Sequence, residues 1–388
     1  MTNSKQNKIL FIKSTYGTPD SRCEKEIYSL SKRHRVDFLG WNRNENYNGV
    51  ITTPIRINDI ILNFYHIGIK TSNGKGFMTM IIPLIKFWFR EWRFLKKNVK
   101  KYDVIHACDF DAAFPLIFIS KRPPLVYDIF DYYADTHYGP SIILSLIRSL
   151  ENRIICLSNV TILCSETRKQ QIYPACPKKL VIIHNSPPEN LLQNAKINDH
   201  CLKQDIVKIV YVGALAKDRF LAEMAEVISE RKDIELHVGG IGPLADCLDK
   251  MSQIYPNIIY YGQMNYGNVL LLELHCDIMT AIYDPRTPNH RYAAPNKFYE
   301  SLMLKKPVIM IKNTGMDAYV EKYQLGEVID VAAEVFKEGF TRALDNLIAK
   351  KSQWIEMGKR GFQLYQEQFS WQEMERRLLN IYDDIETE

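Results

Sequence analysis

The 388-residue sequence contains no apolar run long enough to cross a membrane. A spanning helix needs about 20 consecutive apolar residues, and the longest run here, residues 77–85, is far shorter. The residues that precede the first apolar stretch are polar, so we expect no signal peptide. These absences disfavour integral membrane and secreted proteins, and a cytoplasmic protein is expected.

Closely spaced cysteine pairs are missing as well. None of the eight cysteines lies in a Cys-x-x-Cys pair, the spacing typical of zinc ribbons and thioredoxin-type sites. Several lie inside apolar runs, as buried free thiols do, which indicates a reducing compartment. The eight are Cys23, Cys108, Cys156, Cys164, Cys176, Cys201, Cys247 and Cys276.

The sequence also lacks internal repeats, low-complexity tracts and the mixed basic and aromatic motifs of RNA-binding modules. Its net charge of +5 is modest but unevenly distributed. Residues 1–190 contain 27 Lys and Arg against 16 Asp and Glu, whereas the remaining residues contain 23 against 29. We therefore expect the first half to meet an anionic partner, and we do not expect that partner to be nucleic acid.

Short apolar strands that alternate with helices form two series along the chain. The first series opens with strands over residues 8–12 and 35–39 on either side of a helix over 22–32. This βαβ pattern predicts a parallel sheet, in which ligands bind at the carboxyl ends of the strands. The first loop lacks Gly-x-Gly-x-x-Gly, which disfavours a dinucleotide ligand. The loop residues expected to face a ligand are Tyr16, Gly17 and Arg22.

Carboxylates follow two further strands of the first series. The strand predicted over residues 103–107 precedes Asp109, and the one over 125–128 ends at Asp128 and precedes Asp131. Each acid taken alone is explained as a helix N-cap. Together they predict a polar site at one edge of the sheet. Strands predicted over residues 160–164 and 180–184 complete the series.

Residues 191–205 are polar and irregular and predict a linker to the second series. Its first strands are predicted over residues 206–212, 234–238, 258–262 and 277–283. Glycines at the strand ends let a ligand approach the backbone closely, and nearby cations can neutralise phosphate. The glycines are Gly213, Gly240 and Gly242, and the cations are Lys217 and Arg219.

The most informative stretch, residues 292–311, predicts a loop, a short helix and a buried parallel strand. Pro295 suits a first helical turn. Free N–H groups at the helix N-terminus, together with Lys297, make an anion site that suits phosphate. Glu300 would repel phosphate, so accepting hydrogen bonds from a ribose diol is a suitable role for it. The alternative is an ordinary capped helix followed by a core strand.

The residues Ala-Pro-Asn-Lys-Phe-Tyr-Glu, followed by Lys-Lys-Pro-Val-Ile, resemble the nucleotide-sugar signature of retaining glycosyltransferases with the GT-B fold, similar to glycosyltransferase family 4. The strand patterns Asp-Val-Ile-His-Ala and Val-Tyr-Asp resemble the first domain of the same enzymes. The resemblance implies an α/β protein with two Rossmann-like parallel-sheet domains that face a cleft. The implied boundaries are 1–190 for an acceptor domain, 191–205 for the linker, 206–365 for a nucleotide-sugar domain and 366–388 for a C-terminal helix that crosses back.

The resemblance further implies that a sugar moves from a nucleotide-sugar donor to an acceptor with retention of configuration and without a metal cofactor. Glu300 matches the ribose-binding Glu of the family, and Arg219 matches the basic ligand of the diphosphate. Pro295, Asn296 and Lys297 match the loop near the diphosphate.

Three positions depart from the family pattern. Tyr292 stands where a second Glu is common, Ala214 where Arg is common, and Phe130 where His is common. The residues that usually contact the donor sugar are thus replaced here, and His290 and Arg291 are candidates to substitute for them. The catalytic candidates are thus Asp131, His290 and Arg291, and the acceptor-side candidates are Asp109, Asp128 and the three loop residues named above.

Residues 78–101 combine aromatic and basic side chains at helical spacing. Ile85, Trp88, Trp92 and Leu95 fall on one face. One interpretation is a core-packing helix with a solvated basic face. The other is a helix in a membrane interface, since lipid-linked acceptors are common for the enzymes this chain resembles.

The sequence therefore favours a cytoplasmic, membrane-associated glycosyltransferase of polysaccharide or glycoconjugate assembly, such as capsule or O-antigen synthesis. Two alternatives remain open. One is a nucleotide-sugar epimerase of the same architecture, and the other is a non-catalytic subunit that keeps the fold.

Overall fold

The computed structural model describes residues 6–15, 18–71, 77–136, 139–189 and 206–387. The chain divides into two compact units, of which the first comprises Met1–His184 and Met374–Glu388 and the second Asn185–Glu373. The predicted linker, residues 191–205, lies outside the described residues, as do Tyr16 and Gly17.

The first unit is built on an eight-stranded sheet. Its strand order is β3-β4-β2-β1-β5-β6-β7-β8, and every neighbouring pair is parallel except the antiparallel β3 and β4. The strands are β1 (Lys8–Lys13), β2 (Arg35–Asn42), β3 (Val50–Ile57), β4 (Ile60–Gly68), β5 (Val104–Cys108), β6 (Leu125–Ile129), β7 (Val160–Leu163) and β8 (Leu180–Ile182).

Helices cover this sheet and complete the predicted βαβ opening. The first helix begins after Asp20, whose carboxylate accepts hydrogen bonds from the backbone N–H groups of Arg22 and Cys23. Its apolar residues Ile27 and Leu30 are fully buried, as their spacing predicts. The helices are α1 (Ser21–Ser31), α2 (Phe77–Asn98), α3 (Phe110–Ala113), α4 (Tyr133–Thr136), α5 (Ser141–Leu157) and α6 (Arg168–Gln171), with a 3₁₀ segment over Phe114–Phe118.

The second unit is built on a six-stranded, wholly parallel sheet. Its strand order is β11-β10-β9-β12-β13-β14. The strands are β9 (Val207–Ala214), β10 (Ile234–Ile241), β11 (Ile258–Tyr260), β12 (Ile278–Ala281), β13 (Val308–Ile311) and β14 (Gly326–Ile329). Their buried apolar side chains pack against the flanking helices in a core separate from that of the first unit.

The helices of the second unit follow the alternation that a parallel sheet requires. They are α7 (Leu221–Ser229), α8 (Ala245–Ile254), α9 (Tyr266–His275), α10 (Asn296–Met303), α11 (Asp317–Tyr323), α12 (Phe336–Ala349) and α13 (Trp354–Leu364). Two 3₁₀ segments, Lys217–Arg219 and Pro288–Tyr292, lie in loops after strands β9 and β12.

The last helix, α14 (Trp371–Thr387), follows a π-helical turn over Tyr365–Phe369. From Met374 onwards its residues belong to the first unit. Its Tyr382 hydroxyl lies 2.7 Å from Nδ1 of His106 on β5, and Lys32 pairs with its Glu375 at 2.6 Å. Most of this C-terminal helix therefore packs as part of the first unit. Among the described helices, none is long and apolar enough to span a membrane.

Candidate functional site

The carboxyl ends of β9 and β10 meet through two glycines. Gly240 has φ +133°, a conformation that favours glycine. A Cβ at this position would lie 1.9 Å from the carbonyl oxygen of Gly213, which no side chain tolerates. Glycine at 240 therefore lets the two strand ends pack closely, and Gly242 has a similar positive φ of +155°. The approach of a ligand to this backbone stays a prediction.

Lys297, on α10, is directed at the same edge. Its Nζ lies 2.7 Å from the place that a Cβ on Gly213 would occupy, so a glycine at 213 makes room for the ammonium group. The amino group also lies 4.7 Å from the ring centroid of Tyr211. Burial lowers the pKa of Lys297, but Tyr283, Tyr211 and Glu300 raise it more, so the net shift is upward. Lys297 is therefore a buried, charged cation.

The helix that carries Lys297 begins as the sequence predicts. Pro295 is the residue before the first turn, with φ −67°, and Asn296 opens α10. Every residue of this helix after Asn296 is buried, including Lys297 and Glu300. Because the first turn leaves backbone N–H groups without intrahelical partners, this end of α10 favours a negatively charged ligand.

Arg219 is oriented by a histidine and by an aromatic ring. Its Nη1 lies 2.9 Å from His290 Nε2, and its guanidinium carbon lies 4.0 Å from the centroid of Tyr283. The other imidazole nitrogen of His290, Nδ1, lies 2.9 Å from the carbonyl oxygen of Asp284. This pattern fits a neutral imidazole that donates through Nδ1 and accepts from Arg219 through Nε2. His290 therefore holds Arg219 in place.

Asp218 completes the surroundings of Arg219. Its Oδ1 lies 3.1 Å from Arg219 Nη1, and its Oδ2 lies 3.6 Å from His290 Nε2. The other two cationic candidates of this region are more exposed. Lys217 is at the surface, and Arg291 donates from Nε to the carbonyl oxygen of Pro285 at 2.9 Å.

Glu300 is buried and receives its contacts from α9. The hydroxyl of Tyr266 donates to Glu300 Oε1 at 2.7 Å. Glu273, also on α9, is buried close to Glu300. Burial and then the charge of Glu300 raise the pKa of Glu273 well above its ordinary value. Sequence reasoning missed both α9 residues, although their spacing of two helical turns places them on one face.

In the first unit, the acceptor-side candidates Arg22 and Asp128 belong to a closed network. Arg22 Nη2 donates to both Asp128 oxygens at 2.8 and 3.0 Å, and Arg22 Nε donates to Glu26 at 3.0 Å. Asp128 is completely buried. The expectation that these two side chains face an acceptor is therefore not met in this structure, because they satisfy one another inside the unit.

The proton distribution in this network follows from its geometry. Burial would raise the pKa of Asp128, but Arg22 lowers it below its ordinary value, so Asp128 is the ionised partner. Burial and the Asp128 charge raise the pKa of Glu26 well above its ordinary value. His106, Cys108 and Asp128 are close enough to hold a metal ion, but Arg22 already engages the Asp128 carboxylate.

Asp109 and Asp131 lie together at the ends of β5 and β6. Asp109 pairs with Lys13, and its Oδ1 accepts from the backbone N–H groups of Phe130 and Asp131 at 2.8 and 3.2 Å. Burial raises the pKa of Asp109 to about 6, against the opposing effect of Lys13. The Asp131 carboxylate is 56% exposed and accepts from Arg168 at 2.9 Å. Of the described acid candidates in this unit, Asp131 is thus the most accessible.

The helix α2 has both an inward and an outward apolar face. Phe87 and Leu95 are fully buried, whereas Ile85 and Phe89 are 54% and 56% exposed. Trp88 is half-buried, and its Nε1 donates to the carbonyl oxygen of Asp111 at 2.8 Å. An open groove of about 450 Å³ runs beside the exposed face and is lined by Ile85, Trp88, Phe89, Trp92, Phe114, Pro115 and Phe118.

A family model matches the sequence of the second unit, and solved structures match the fold of the whole chain. The family model described as "Glycosyl transferases group 1" matches residues 193–361. No curated protein matches the sequence. Solved structures match at low identity. A sucrose-phosphate synthase from Thermosynechococcus elongatus is 13% identical, with a TM-score of 0.76 over 98% of this chain and 100% of its own.

Two further structures are similar. A glycosyltransferase from Rickettsia africae is 14% identical, with a TM-score of 0.67 over 98% of this chain and 99% of its own. HepE from Anabaena, in complex with UDP, is 14% identical, with a TM-score of 0.67 over 97% and 100%. The GT-B fold predicted from sequence is thereby confirmed, and the family match supports a glycosyltransferase of this type.

Proposed function

We propose that this protein transfers a sugar from a nucleotide-sugar donor to a glycan or lipid-linked acceptor, with retention of configuration and without a metal ion. The observation that carries the proposal is the second-unit cluster in which the Lys297 ammonium group fills the space where Gly213 lacks a side chain, Arg219 is fixed by His290, and Glu300 accepts a hydrogen bond from Tyr266 on α9. These groups supply positive charge for a diphosphate and an acceptor for a ribose diol.

The charges of this cluster suit a diphosphate. Lys297 forms no ion pair with any carboxylate among the described residues, and its nearest aromatic partner is Tyr211. A cation held against an aromatic ring keeps its full charge available to an incoming anion. The HepE structure was determined with UDP and also with UDP-glucose, so a relative of the same fold binds this class of molecule.

The proposed retention and metal independence are supported by the chemistry that such a cluster allows. In a reaction on one face of the donor sugar, the leaving diphosphate can itself accept the proton of the acceptor hydroxyl. The protein then mainly positions the reactants and stabilises the developing negative charge. Lys297, Arg219 and the α10 N-terminus are suited to that task without a cation. Asp131, His290 and Arg291 remain the catalytic candidates, with His290 acting through Arg219.

We further propose that α2 places the protein on the inner face of the cell membrane. Its outward face combines Ile82, Ile85 and Phe89 with cations that lie against its rings. Lys96 Nζ lies 5.0 Å from the ring centroid of Trp92, and the Arg93 guanidinium 5.8 Å from that of Phe89. Apolar side chains flanked by cations suit an anionic lipid surface.

A panel of nucleotide sugars tests the central proposal. Thermal shifts with UDP-, GDP- and other sugar nucleotides identify the base, and incubation with acceptor extracts then identifies transfer. We expect one donor to stabilise the protein and to release its nucleotide only when an acceptor is present. The anomeric configuration of the product, read by NMR, should equal that of the donor. Interconversion of free sugar nucleotides would instead indicate an epimerase, and inversion would overturn the proposed stereochemistry.

A further inference from the structure

Two residues of α9 converge on one carboxylate of α10. Tyr266 and Glu273 lie seven residues apart, two turns of the helix, and therefore on one face. The Tyr266 hydroxyl donates to Glu300 Oε1 at 2.7 Å. Glu273 is 1% exposed and lies close enough to Glu300 for the charge of Glu300 to raise the pKa of its carboxyl group. The two elements therefore meet through a phenol and two carboxyl groups.

Two buried carboxyl groups in contact do not ionise together, because their charges repel in a poorly solvated site. Glu273 is the protonated member, since burial and the charge of Glu300 raise its pKa well above the ordinary value. Its Oε2 accepts no hydrogen bond from any described residue, which suits an acid better than a carboxylate. As an acid it has an O–H group to donate.

We infer that Tyr266 and Glu273 are positioning residues that hold the Glu300 carboxylate for the ribose diol of the donor. In this arrangement each donates one O–H group to Glu300, which fixes the orientation of the carboxylate. The inference rests on the proposed function, in which Glu300 accepts hydrogen bonds from the ribose.

The arrangement also keeps the Glu300 carboxylate apart from Lys297 on the same helix. Lys297 precedes Glu300 by three residues on α10, and side chains at this spacing are neighbours on a helix. A Glu300 side chain without its two donors is drawn towards the Lys297 ammonium group. That shift would remove the ribose acceptor and neutralise the cation meant for the diphosphate. The α9 donors keep the two functions of α10 separate.

The test measures preference for ribose rather than affinity alone. Titration calorimetry measures the affinity of each variant for UDP and GDP and for their 2′,3′-dideoxy analogues. The preference is the ratio of the ribonucleotide affinity to the dideoxy affinity. We expect Tyr266→Phe and Glu273→Met each to weaken ribonucleotide binding by about threefold or more, the effect of losing one hydrogen bond. Binding of the dideoxy analogues should change by less than about twofold, since they make no diol contact.

Two variants serve as controls. Glu273→Gln keeps an N–H donor of similar shape and should retain the preference of the unchanged protein. Tyr365→Phe removes another buried hydroxyl of the same unit, one that donates to the Pro187 carbonyl at 2.7 Å, and it should leave the preference intact. If Glu273→Met does not fold, Tyr266→Phe decides alone, because it removes a single oxygen atom.

The outcomes separate the two proposals. Equal weakening of ribonucleotide and dideoxy binding would show that α9 acts only on the fold and would overturn the inference. Unchanged preference in Tyr266→Phe would do the same. If the unchanged protein binds no nucleotide, the proposed function fails and the inference fails with it. Nucleotide binding that none of these variants alters would overturn the inference alone.

Discussion

The two units surround their buried cations with different groups. In the first unit, Arg22 is enclosed between the carboxyl groups of Asp128 and Glu26 and pairs with both. In the second unit, Lys297 lies against the ring of Tyr211, whereas Arg219 lies against the ring of Tyr283 and also pairs with Asp218 at 3.1 Å. Aromatic rings stabilise a cation without cancelling its charge. We infer that the first network holds its fold, and in the proposed function Lys297 keeps its positive charge ready for an anion.

Removing one partner of the closed network should have the largest effect. Asp128→Ala leaves the Arg22 guanidinium buried without its main carboxylate, which costs about 3–5 kcal/mol of stability. Urea unfolding followed by circular dichroism measures the loss. Asp383→Ala, which breaks the exposed pair with Arg33, should cost no more than about 1 kcal/mol. Equal costs for the two changes would contradict the assignment of a structural role to the closed network.

Buried and exposed residues of α2 should respond differently to substitution, which provides a second test within the first unit. Phe87→Ala removes a fully buried ring that stacks on Trp41 at 4.8 Å, and should cost about 3–5 kcal/mol of stability. Phe89→Ala should leave the melting temperature nearly unchanged but weaken binding to anionic liposomes. Trp88→Ala should affect both, since its ring is half-buried. A Phe89→Ala protein with normal liposome binding would contradict the proposed docking face.

The basic end of the same helix provides an independent test of that face. Reversal of Lys96, Lys97, Lys100 and Lys101 to Glu should abolish binding to anionic vesicles, because each cation near such a surface contributes about 1 kcal/mol. Unchanged protein should bind neutral vesicles weakly and leave anionic ones at high salt. Nucleotide affinity should remain intact, since Lys297 and Arg219 belong to the other unit. Sedimentation with vesicles and calorimetry measure the two properties.

In the second unit, loss of a ligand contact should affect binding more than stability. Glu300→Ala removes a charge-assisted hydrogen-bond acceptor, so nucleotide binding should weaken by about 1.5–3 kcal/mol. Calorimetry on the folded variant checks this value. Unchanged affinity would exclude Glu300 from the donor site.

The smallest expected effect is that of chelation. If Lys297 and Arg219 supply the positive charge at the diphosphate, treatment with EDTA should leave the transfer rate unchanged. If chelation abolished transfer and Mg²⁺ or Mn²⁺ restored it, Lys297 and Arg219 would not be sufficient to neutralise the diphosphate.

Strands with continuous apolar runs could be predicted from the sequence because both of their faces are buried. Residues 308–311 are an example, and all four are fully buried in β13. The β3–β4 hairpin was missed for the opposite reason. Four consecutive residues of β3 are exposed, so the strand has no continuous apolar run, and Pro54 within it further obscures the pattern.

The site was predictable only where its residues are close in sequence. Pro295, Lys297 and Glu300 lie within one helical turn or just before it, so one motif contained them. The partners that orient them come from elsewhere: Tyr266 lies 34 residues before Glu300, and His290 lies 71 residues after Arg219. Asp128 was predicted to face a ligand because its position at a strand end is visible in the sequence. Its pairing with Arg22, which is 106 residues away, cannot be seen in the sequence.

The return of α14 to the first unit has a consequence for how the chain folds during synthesis. The first unit begins with Lys8 on β1, yet it is complete only when Tyr382 can reach His106. Domains generally fold as they leave the ribosome, with N-terminal domains first. Here the whole second unit is made before the first receives its last helix. The first unit can therefore be completed only after the whole second unit has been synthesised.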